Sequence, residues 1–452
     1  MHFKDAGLAE LAKRANVAQF VSFAPDLTMR HARVRGHLDT DPLFEDLQSA
    51  VEALLESSVD ASVNVRSFDP ASPKSREFVY GLRKPGDVVH IVRRLATEGL
   101  YTIVNETVDI SDGGVSGVLL GDVIEFAPED TPRAVEKPGI ASLPREVGLK
   151  LLSTVYGFAP ELDFPRDQRV EFSLHPLRRG VRSSHTLVWE MERVSTSTVG
   201  DFGNWPNRFS SFLGDKAFGL LVADAVGLPV PRTTVLGRKI APFCFGTRTA
   251  TGETWIRTVP TVQTPGKYST RRGWLDPFAL LSREDPAGTA LAGVLSQDGV
   301  DAVFSGAALA ADVSGSIELT IEGTHGLGED FMVGLKQRVQ LPEAVLRAVR
   351  QTYEAAARVL GPVRFEWVYD GAQVWVVQLH RGLSTSHGRV IVPGDPARYL
   401  SFDVSRGLEA LRNEVDSLSP DEGVELVGNV GLTSHFGDVL RKAGVPSYIK
   451  AT

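Results

Sequence analysis

The sequence predicts a mixed α/β (α+β) fold, and three observations carry that expectation. Short apolar blocks rich in Val, Ile, Phe and Leu recur along the chain, as strands do. They are interleaved with longer segments whose apolar residues fall at three- and four-residue steps, as on one face of a helix, and Gly, Pro, Asn and Asp punctuate the gaps. At roughly 150 residues per domain, the 452 residues make about three units. We read them as an N-terminal α/β domain over 1–200, a second α/β domain over 201–382 and a smaller β/α unit over 383–452.

Taken in order, Val17 to Phe23 is a short apolar strand, and Pro42 to Ser57 sets Leu43, Phe44, Leu47, Val51 and Leu54 on one helical face. Ala61 to Phe68 and Tyr101 to Val108 follow as strands. Asp112-Gly113-Gly114 is a turn that would join the latter to Val115 to Leu120 in a hairpin. Arg169 to Leu174 and Thr186 to Met191 make another around Pro176 to Gly180, and the polar stretch Ser195 to Ser211 reads as a linker. Helix Asp215 to Val226 then carries Phe218, Leu221, Val222 and Ala225 on one face and stops at Gly227, with Pro229 and Pro231 blocking its continuation. Strands recur at Arg232 to Leu236 and Thr254 to Val259. The clearest helix is Pro342 to Leu360, stepped by Val345, Val349, Tyr353, Ala356 and Leu360 and ended by Gly361. Val363 to Tyr369 and Gln373 to Leu379 form a hairpin around Asp370-Gly371, and the chain closes on strand Val424 to Val427 and helix Ser434 to Ala443.

Composition excludes several classes. With 42% apolar and 23% charged residues the chain is not disordered. A formal charge of −8 argues against nucleic acid or an anionic membrane as the main partner, since both need a clustered positive field. Met1 to Ala18 lacks the apolar core of a secretory signal, and no stretch approaches the ~18 apolar residues of a membrane helix. The single cysteine, Cys244, excludes internal disulfides and points to a reducing compartment, the cytoplasm.

Three short patterns occur twice in the same order. Asn64-Val65-Arg66-Ser67 matches Trp255-Ile256-Arg257-Thr258, Val115-Ser116-Gly117 matches Phe304-Ser305-Gly306, and Val170-Glu171-Phe172 matches Phe365-Glu366-Trp367. Near-constant spacing is what a diverged duplication predicts; the alternative is two unrelated α/β segments.

The second half holds the sharper chemistry. Gly214-Asp215-Lys216-Ala217 opens a helix that ends in Gly227-Leu228-Pro229-Val230-Pro231. Ile256-Arg257-Thr258, Glu284-Asp285, Leu295-Ser296-Gln297, Phe304-Ser305-Gly306, Gly326-Leu327-Gly328-Glu329 and Phe365-Glu366-Trp367 with Val377-Gln378 follow. A polyphosphate needs cations and a magnesium ion to spread its charge, which suits Lys216 and Arg257 as phosphate ligands. Magnesium takes oxygen ligands and only one or two side chains, which Glu366 and Gln378 on adjacent strands would supply from one face. The ordinary alternative for Lys216 and Arg257 is surface solvation, and for Glu366 a strand-end carboxylate.

The ordered series resembles the nucleotide-binding domain of the phosphoenolpyruvate synthase and pyruvate phosphate dikinase family, an ATP-grasp fold, over about Gly214 to Gly382. The resemblance implies ATP and Mg2+ as cofactors. It places Lys216, Arg257, Gln297, Glu329, Glu366 and Gln378 around the nucleotide, with Glu366 and Gln378 on the metal, and makes the N-terminal domain a degenerate ATP-grasp-like repeat. Where that family closes with Gln-x-Arg, this chain reads Gln378-Leu379-His380, with Arg381 one place later on the opposite strand face. Gly431-Leu432-Thr433-Ser434-His435, then Arg441, Gly444, Val445 and Pro446, resembles the same family's phosphohistidine signature, with His435 at the residue those enzymes phosphorylate and the Gly382 to Pro396 stretch as hinge. The strands usual after that signature and the pyruvate-binding barrel lie outside the sequence. The catalytic candidates are therefore His435, Arg257, His380 and Arg381.

In the first half Arg66, Glu171 and Glu190 repeat the ingredients in part, but no counterpart of the Lys216 helix precedes them, so this half reads as a scaffold or acceptor-binding domain. His175 and His185 fit no zinc spacing and read as solvated turn histidines. The function expected from these motifs is an ATP- and magnesium-dependent phosphotransferase of the dikinase type acting on an acceptor other than pyruvate. The alternatives are an ATP-grasp ligase working through an acyl phosphate, or an inactive nucleotide-binding regulator. The acceptor and the oligomeric state are not legible.

Overall fold

The computed structural model describes residues 3–36, 44–72, 75–131, 139–194, 202–262, 268 and 270–451. The chain divides into two compact units, Met1–Ser153 with Phe158–Asn204, and Thr154–Gly157 with Trp205–Thr452; segment 383–452 groups with the second. The linker expected from residue 195 lies outside the described residues as far as 201. Among the described residues no helix is long and apolar enough to cross a membrane.

The first unit begins with α1 (Lys4–Arg14), β1 (Phe20–Phe23), β2 (Met29–Arg33), α2 (Leu47–Ser57), β3 (Val63–Phe68), β4 (Ser75–Leu82), α3 (Pro85–Thr97) and β5 (Tyr101–Glu106). Their sheet has the order β2-β1-β5-β3-β4 and buries Val21, Val65, Val104 and the inner faces of α2 and α3, including Val51, Leu54, Val88 and Val92. Helix α2 starts five residues later than the periodicity suggests. Asp46 forms a capping box with Ser49, satisfying free amides at that point; Pro42 and Leu43 lie outside the described residues.

A second sheet follows: β6 (Val115–Leu120), β7 (Val123–Pro128), β8 (Ala141–Pro144), α4 (Arg145–Tyr156), β9 (Gln168–Arg179) and β10 (Ser184–Arg193), in the order β10-β9-β6-β7-β8. The hairpin expected between Tyr101–Val108 and Val115–Leu120 does not form. β5 is hydrogen-bonded on both sides, to β1 and β3, so no edge is left for β6, which pairs with β7 and β9 instead. Asp112 still makes the turn, accepting the amide of Gly114 at 2.9 Å, but the turn passes the chain from one sheet to the next. The second expected hairpin forms, with β9 running through Pro176 to Arg179 and the reversal at Gly180 and Ser183, both at positive φ.

Nor are His175 and His185 solvated turn residues. His175 is buried, with Nδ1 2.8 Å from Asp112 and Nε2 2.8 Å from Ser173, while His185 stacks on Phe158. The fully buried Arg179 joins this network, donating to Asp60 at 2.7 Å. Among the described residues no cluster fit for a metal ion is found.

The second unit contains α5 (Arg208–Leu213), α6 (Asp215–Ala225), β11 (Thr233–Gly237), β12 (Phe243–Phe245), β13 (Thr254–Pro260), β14 (Thr270–Arg272), α7 (Pro277–Glu284) and β15 (Leu291–Asp298), with sheet order β12-β11-β15-β13-β14. Then come β16 (Phe304–Val313), β17 (Ser316–His325), α8 (Glu329–Met332), α9 (Glu343–Leu360), β18 (Val363–Tyr369) and β19 (Val374–Arg381), ordered β17-β16-β18-β19. Helix α9 buries Val345, Val349, Ala356 and Leu360, each contributing roughly 1–3 kcal/mol of apolar burial, and stops at Gly361 with φ 71°. The chain ends with β20 (Val390–Val392), β21 (Arg398–Asp403), α10 (Gly407–Ser417), β22 (Glu422–Val427), α11 (His435–Ala443) and β23 (Ser447–Ile449), ordered β20-β23-β22-β21 around Phe402, Leu411, Leu426 and Phe436. A strand does follow the His435 helix, β23, paired in parallel with β22.

The two units repeat one plan. Replacing β1 to β5 by β11 to β15 reproduces the first strand order, and β10-β9-β6-β7 maps onto β19-β18-β16-β17. The duplicated motifs occupy equivalent places: Arg66 sits opposite Ile103 and Arg257 opposite Leu295, while Gly117 faces Phe172 and Gly306 faces Trp367. A Cβ at Gly117 would strike the carbonyl of Glu125, and one at Gly306 that of Glu322. The scaffold reading rested partly on a missing counterpart of the Lys216 helix and its Gly-Leu-Pro-Val-Pro ending; a helix, α1, does precede β1 as α6 precedes β11, but its sequence and the loop after it differ.

Candidate functional site

The site is assembled by strands whose places follow from the pairing just described. Glu366 on β18 and Gln378 on β19 are direct cross-strand partners, so their side chains leave the sheet on one face. Arg257 on β13 and Gln297 on β15 come from the other sheet of the unit, Lys216 from the first turn of α6, and Glu329 from the start of α8. All six line one cavity of about 300 Å3, together with His435 and Asp438 of α11.

Electrostatics match the lining. Lys216 is partly buried, and burial pushes its ammonium down to about 8, with Arg257 adding repulsion and Glu366 opposing the fall. Arg257 donates from Nη1 to the carbonyl of Val377 at 3.3 Å, while its buried Nε meets no acceptor among the described residues. Burial raises the Glu329 carboxyl above its ordinary value. The Gln297 amide donates to Thr233 Oγ1 at 3.1 Å. Glu284 and Asp285 belong to the scaffold: Glu284 accepts from Thr258 at 3.0 Å, and Asp285 holds the amides of residues 289–291.

His380 and Arg381 do not line this cavity. His380 is buried behind it, its Nδ1 3.3 Å from Asp215 and its Nε2 accepting from the Gln378 amide nitrogen at 3.0 Å. With its nitrogen so engaged, the Gln378 carboxamide keeps its oxygen for another partner. Burial alone would raise the Asp215 carboxyl, but His380, Trp205 and Arg364 together hold it below the usual range. Arg381 lies on the opposite strand face, donating from Nε to the carbonyl of Leu360 at 2.6 Å. Sequence reasoning missed both the aspartate behind His380 and the part played by Asp438.

Segment 383–451 is pinned against β16, β17 and β18. The amide and hydroxyl of Thr433 each donate to Glu322 at 2.9 Å, and Arg364 donates to Asp438 at 2.7 Å. Burial would raise the Asp438 carboxyl, but Arg364, His435 and Arg441 hold it far below the usual range. Ser434 caps α11, and His435 Nδ1 lies 3.6 Å from Asp438. In the first unit the equivalent carboxylate pair, Glu171 opposite Glu190, is altered by an ion pair of Glu171 with Arg169 at 2.8 Å.

No family model matches the chain, and no curated protein matches it. Partial likenesses are found among solved structures. An L-amino acid ligase from Bacillus licheniformis is 13% identical over 36% of this chain and 39% of its own, with a TM-score of 0.24. A D-alanine-D-alanine ligase from Helicobacter pylori is 10% identical over 39% and 53%, at 0.26, and a D-alanyl-alanine synthetase A from Vibrio cholerae is 9% identical over 42% and 69%, at 0.22. The chain thus spans about two fifths to one half of the first two. None of these neighbours is a phosphoenolpyruvate synthase or a pyruvate phosphate dikinase. The membership in the phosphoenolpyruvate synthase and pyruvate phosphate dikinase family implied by the motif order is corrected accordingly, and no comparison identifies the terminal segment as a phosphohistidine domain.

Proposed function

We propose that the second unit is an ATP-grasp-type nucleotide site and that the chain is an ATP- and magnesium-dependent ligase, activating a carboxylate as its acyl phosphate and passing the acyl group to an amine. The observation that carries this reading is the single cavity lined by Lys216, Arg257, Glu366 and Gln378. The donors fit magnesium: one carboxylate and one amide oxygen, in register on paired strands, the amide oriented by His380. When bound, the ion would neutralise β- and γ-phosphate oxygens.

Lys216 and Arg257 hold the polyphosphate in line with the acceptor. The acceptor carboxylate oxygen forms a bond to the γ-phosphorus as the bond to the β–γ bridging oxygen breaks, and ADP leaves. The amine then attacks the acyl carbon, loses its proton, and inorganic phosphate departs. Transfer through His435 is disfavoured by the Thr433–Glu322 and Asp438–Arg364 bonds, because a carrier histidine must leave the site after each transfer.

Incubation with ATP, magnesium, a carboxylic acid panel and hydroxylamine tests this. Hydroxamate formed together with ADP and phosphate supports it; AMP with pyrophosphate would point to an acyl adenylate and overturn it.

A further inference from the structure

The first turn of α11 carries a pair of side chains that the phosphoryl chemistry leaves unused. His435 and Asp438 are three residues apart, on one face of the helix, and both line the nucleotide cavity. Asp438 also lines a cleft of about 30 Å3 with Glu366 and Gln378, which places the pair at that end of the cavity. The two arginines bonded to Asp438 share a single oxygen: Arg364 donates to Oδ1 at 2.7 Å and Arg441 to the same atom at 2.8 Å. Oδ2 takes no hydrogen bond among the described residues and faces the buried His435 Nδ1 at 3.6 Å. The other ring nitrogen, Nε2, makes no hydrogen bond among the described residues either. The side chain is 25% exposed while Nδ1 is buried, so the open edge of the ring is the one that carries Nε2. The Thr433–Glu322 bonds fix the ring in this place.

We infer that His435 is the proton acceptor for the attacking amine and that Asp438 is its positioning residue. The inference rests on the acyl-phosphate reading above. The amide forms only when the nitrogen that attacks the acyl carbon has lost a proton, and a base held at the cavity wall takes it. Nε2 accepts that proton as the nitrogen–carbon bond forms. The carbon–oxygen bond to the phosphoryl group then breaks, its electron pair leaving on phosphate, and Nε2 returns the proton to a phosphate oxygen, so the imidazole ends the cycle as it began. Asp438 gives the ring its direction. A carboxylate oxygen beside Nδ1 keeps that nitrogen protonated, leaves Nε2 with its lone pair and stabilises the imidazolium that forms. Arg364 and Arg441, both on the far oxygen, keep the carboxylate ionised. Positive charge on the ring draws the 3.6 Å separation toward hydrogen-bond length. A fixed base needs this anchoring, which a travelling carrier would have to break.

Two measurements on the full chain test this. Long-range proton–nitrogen spectra of protein carrying labelled histidine, recorded at pH 8.5 without ligands and assigned with His435→Asn, should show the His435 proton on Nδ1, and Asp438→Asn should move it to Nε2. A wild-type ring protonated at Nε2 overturns the inference whether or not the Asp438 variant folds. In the second measurement ADP and hydroxamate are followed with the carboxylic acid panel. Wild type and His435→Asn should both release acid-dependent ADP when hydroxylamine is left out. At limiting hydroxylamine the variant should make hydroxamate at least about a hundredfold more slowly, and added imidazole should restore part of the rate in His435→Ala. Hydroxamate at the wild-type rate in the variant removes His435 and leaves the ligase reading intact. Loss of the ADP step together with hydroxamate would put His435 on the nucleotide and overturn the inference. No acid-dependent ADP from the wild type removes the ligase reading, and with it the amine that the base would serve.

Discussion

Lys216 is the residue at which the chemistry is most exposed to measurement. Burial pushes its ammonium down to about 8, and a bound polyphosphate favours the charged form, so the value with nucleotide bound must lie higher. Affinity for a non-hydrolysable ATP analogue should then be flat below pH 8 and fall as pH rises above it, by up to about tenfold per unit. Titrations at pH 8.5 in buffers of different ionisation enthalpy should register proton uptake. Lys216→Arg, which stays charged, should abolish both effects, whereas Lys216→Ala should weaken binding by about 1.5–3 kcal/mol below pH 8, the difference shrinking as pH rises above it. Glu366→Gln should melt like the wild type yet lose magnesium-dependent binding, since the amide keeps the shape but not the charge. His380→Phe should raise the magnesium concentration needed for half-maximal turnover while leaving magnesium-free nucleotide binding in place, because His380 holds the Gln378 amide from behind. The sequence exposed these cavity residues because Lys216, Arg257 and Glu366 carry their chemistry in residue type. The Asp215–His380–Gln378 chain was hidden, because a hydrogen bond between residues 165 positions apart leaves no local pattern.

Elements with strong local signals were legible. Helix α9 shows its period and its terminal glycine, and the β18–β19 hairpin shows its Asp370-Gly371 turn, with Asp370 accepting the amides of Ala372 and Gln373 at 2.8 Å each. Pairing was less so. The β5–β6 hairpin failed because both edges of β5 were taken by strands far away in sequence, a contest that turn chemistry cannot reveal. Close packing between strands makes its own prediction. Gly306→Ala should destabilise the second unit by about 1–3 kcal/mol, seen as a lower melting temperature, because the added methyl meets the Glu322 backbone and cannot rotate away. The same substitution at Gly7, where nothing lies within 4 Å and the residue is helical, should leave the melt unchanged or raise it slightly.

At the scale of the whole molecule, the repeated strand order is the main structural fact, and three short motifs had announced it. One plan is used twice, with a cavity described between the two sheets of the second unit and with Glu171 of the first tied to an arginine. Substituting Arg66 or Glu190 should therefore leave nucleotide binding unaffected, whereas the equivalent positions Arg257 and Gln378 should not tolerate change; parallel titrations of the four alanine variants would separate the two copies. The account stands or falls on the assignment of that one cavity. Its most direct measurement is calorimetric titration of the full chain with a non-hydrolysable ATP analogue, with and without magnesium, for wild type and Glu366→Gln. The account predicts tight binding that requires magnesium in the wild type and loses that requirement, together with most of its affinity, in the variant. Identical titrations for the two proteins, or no binding by the wild type, would contradict it.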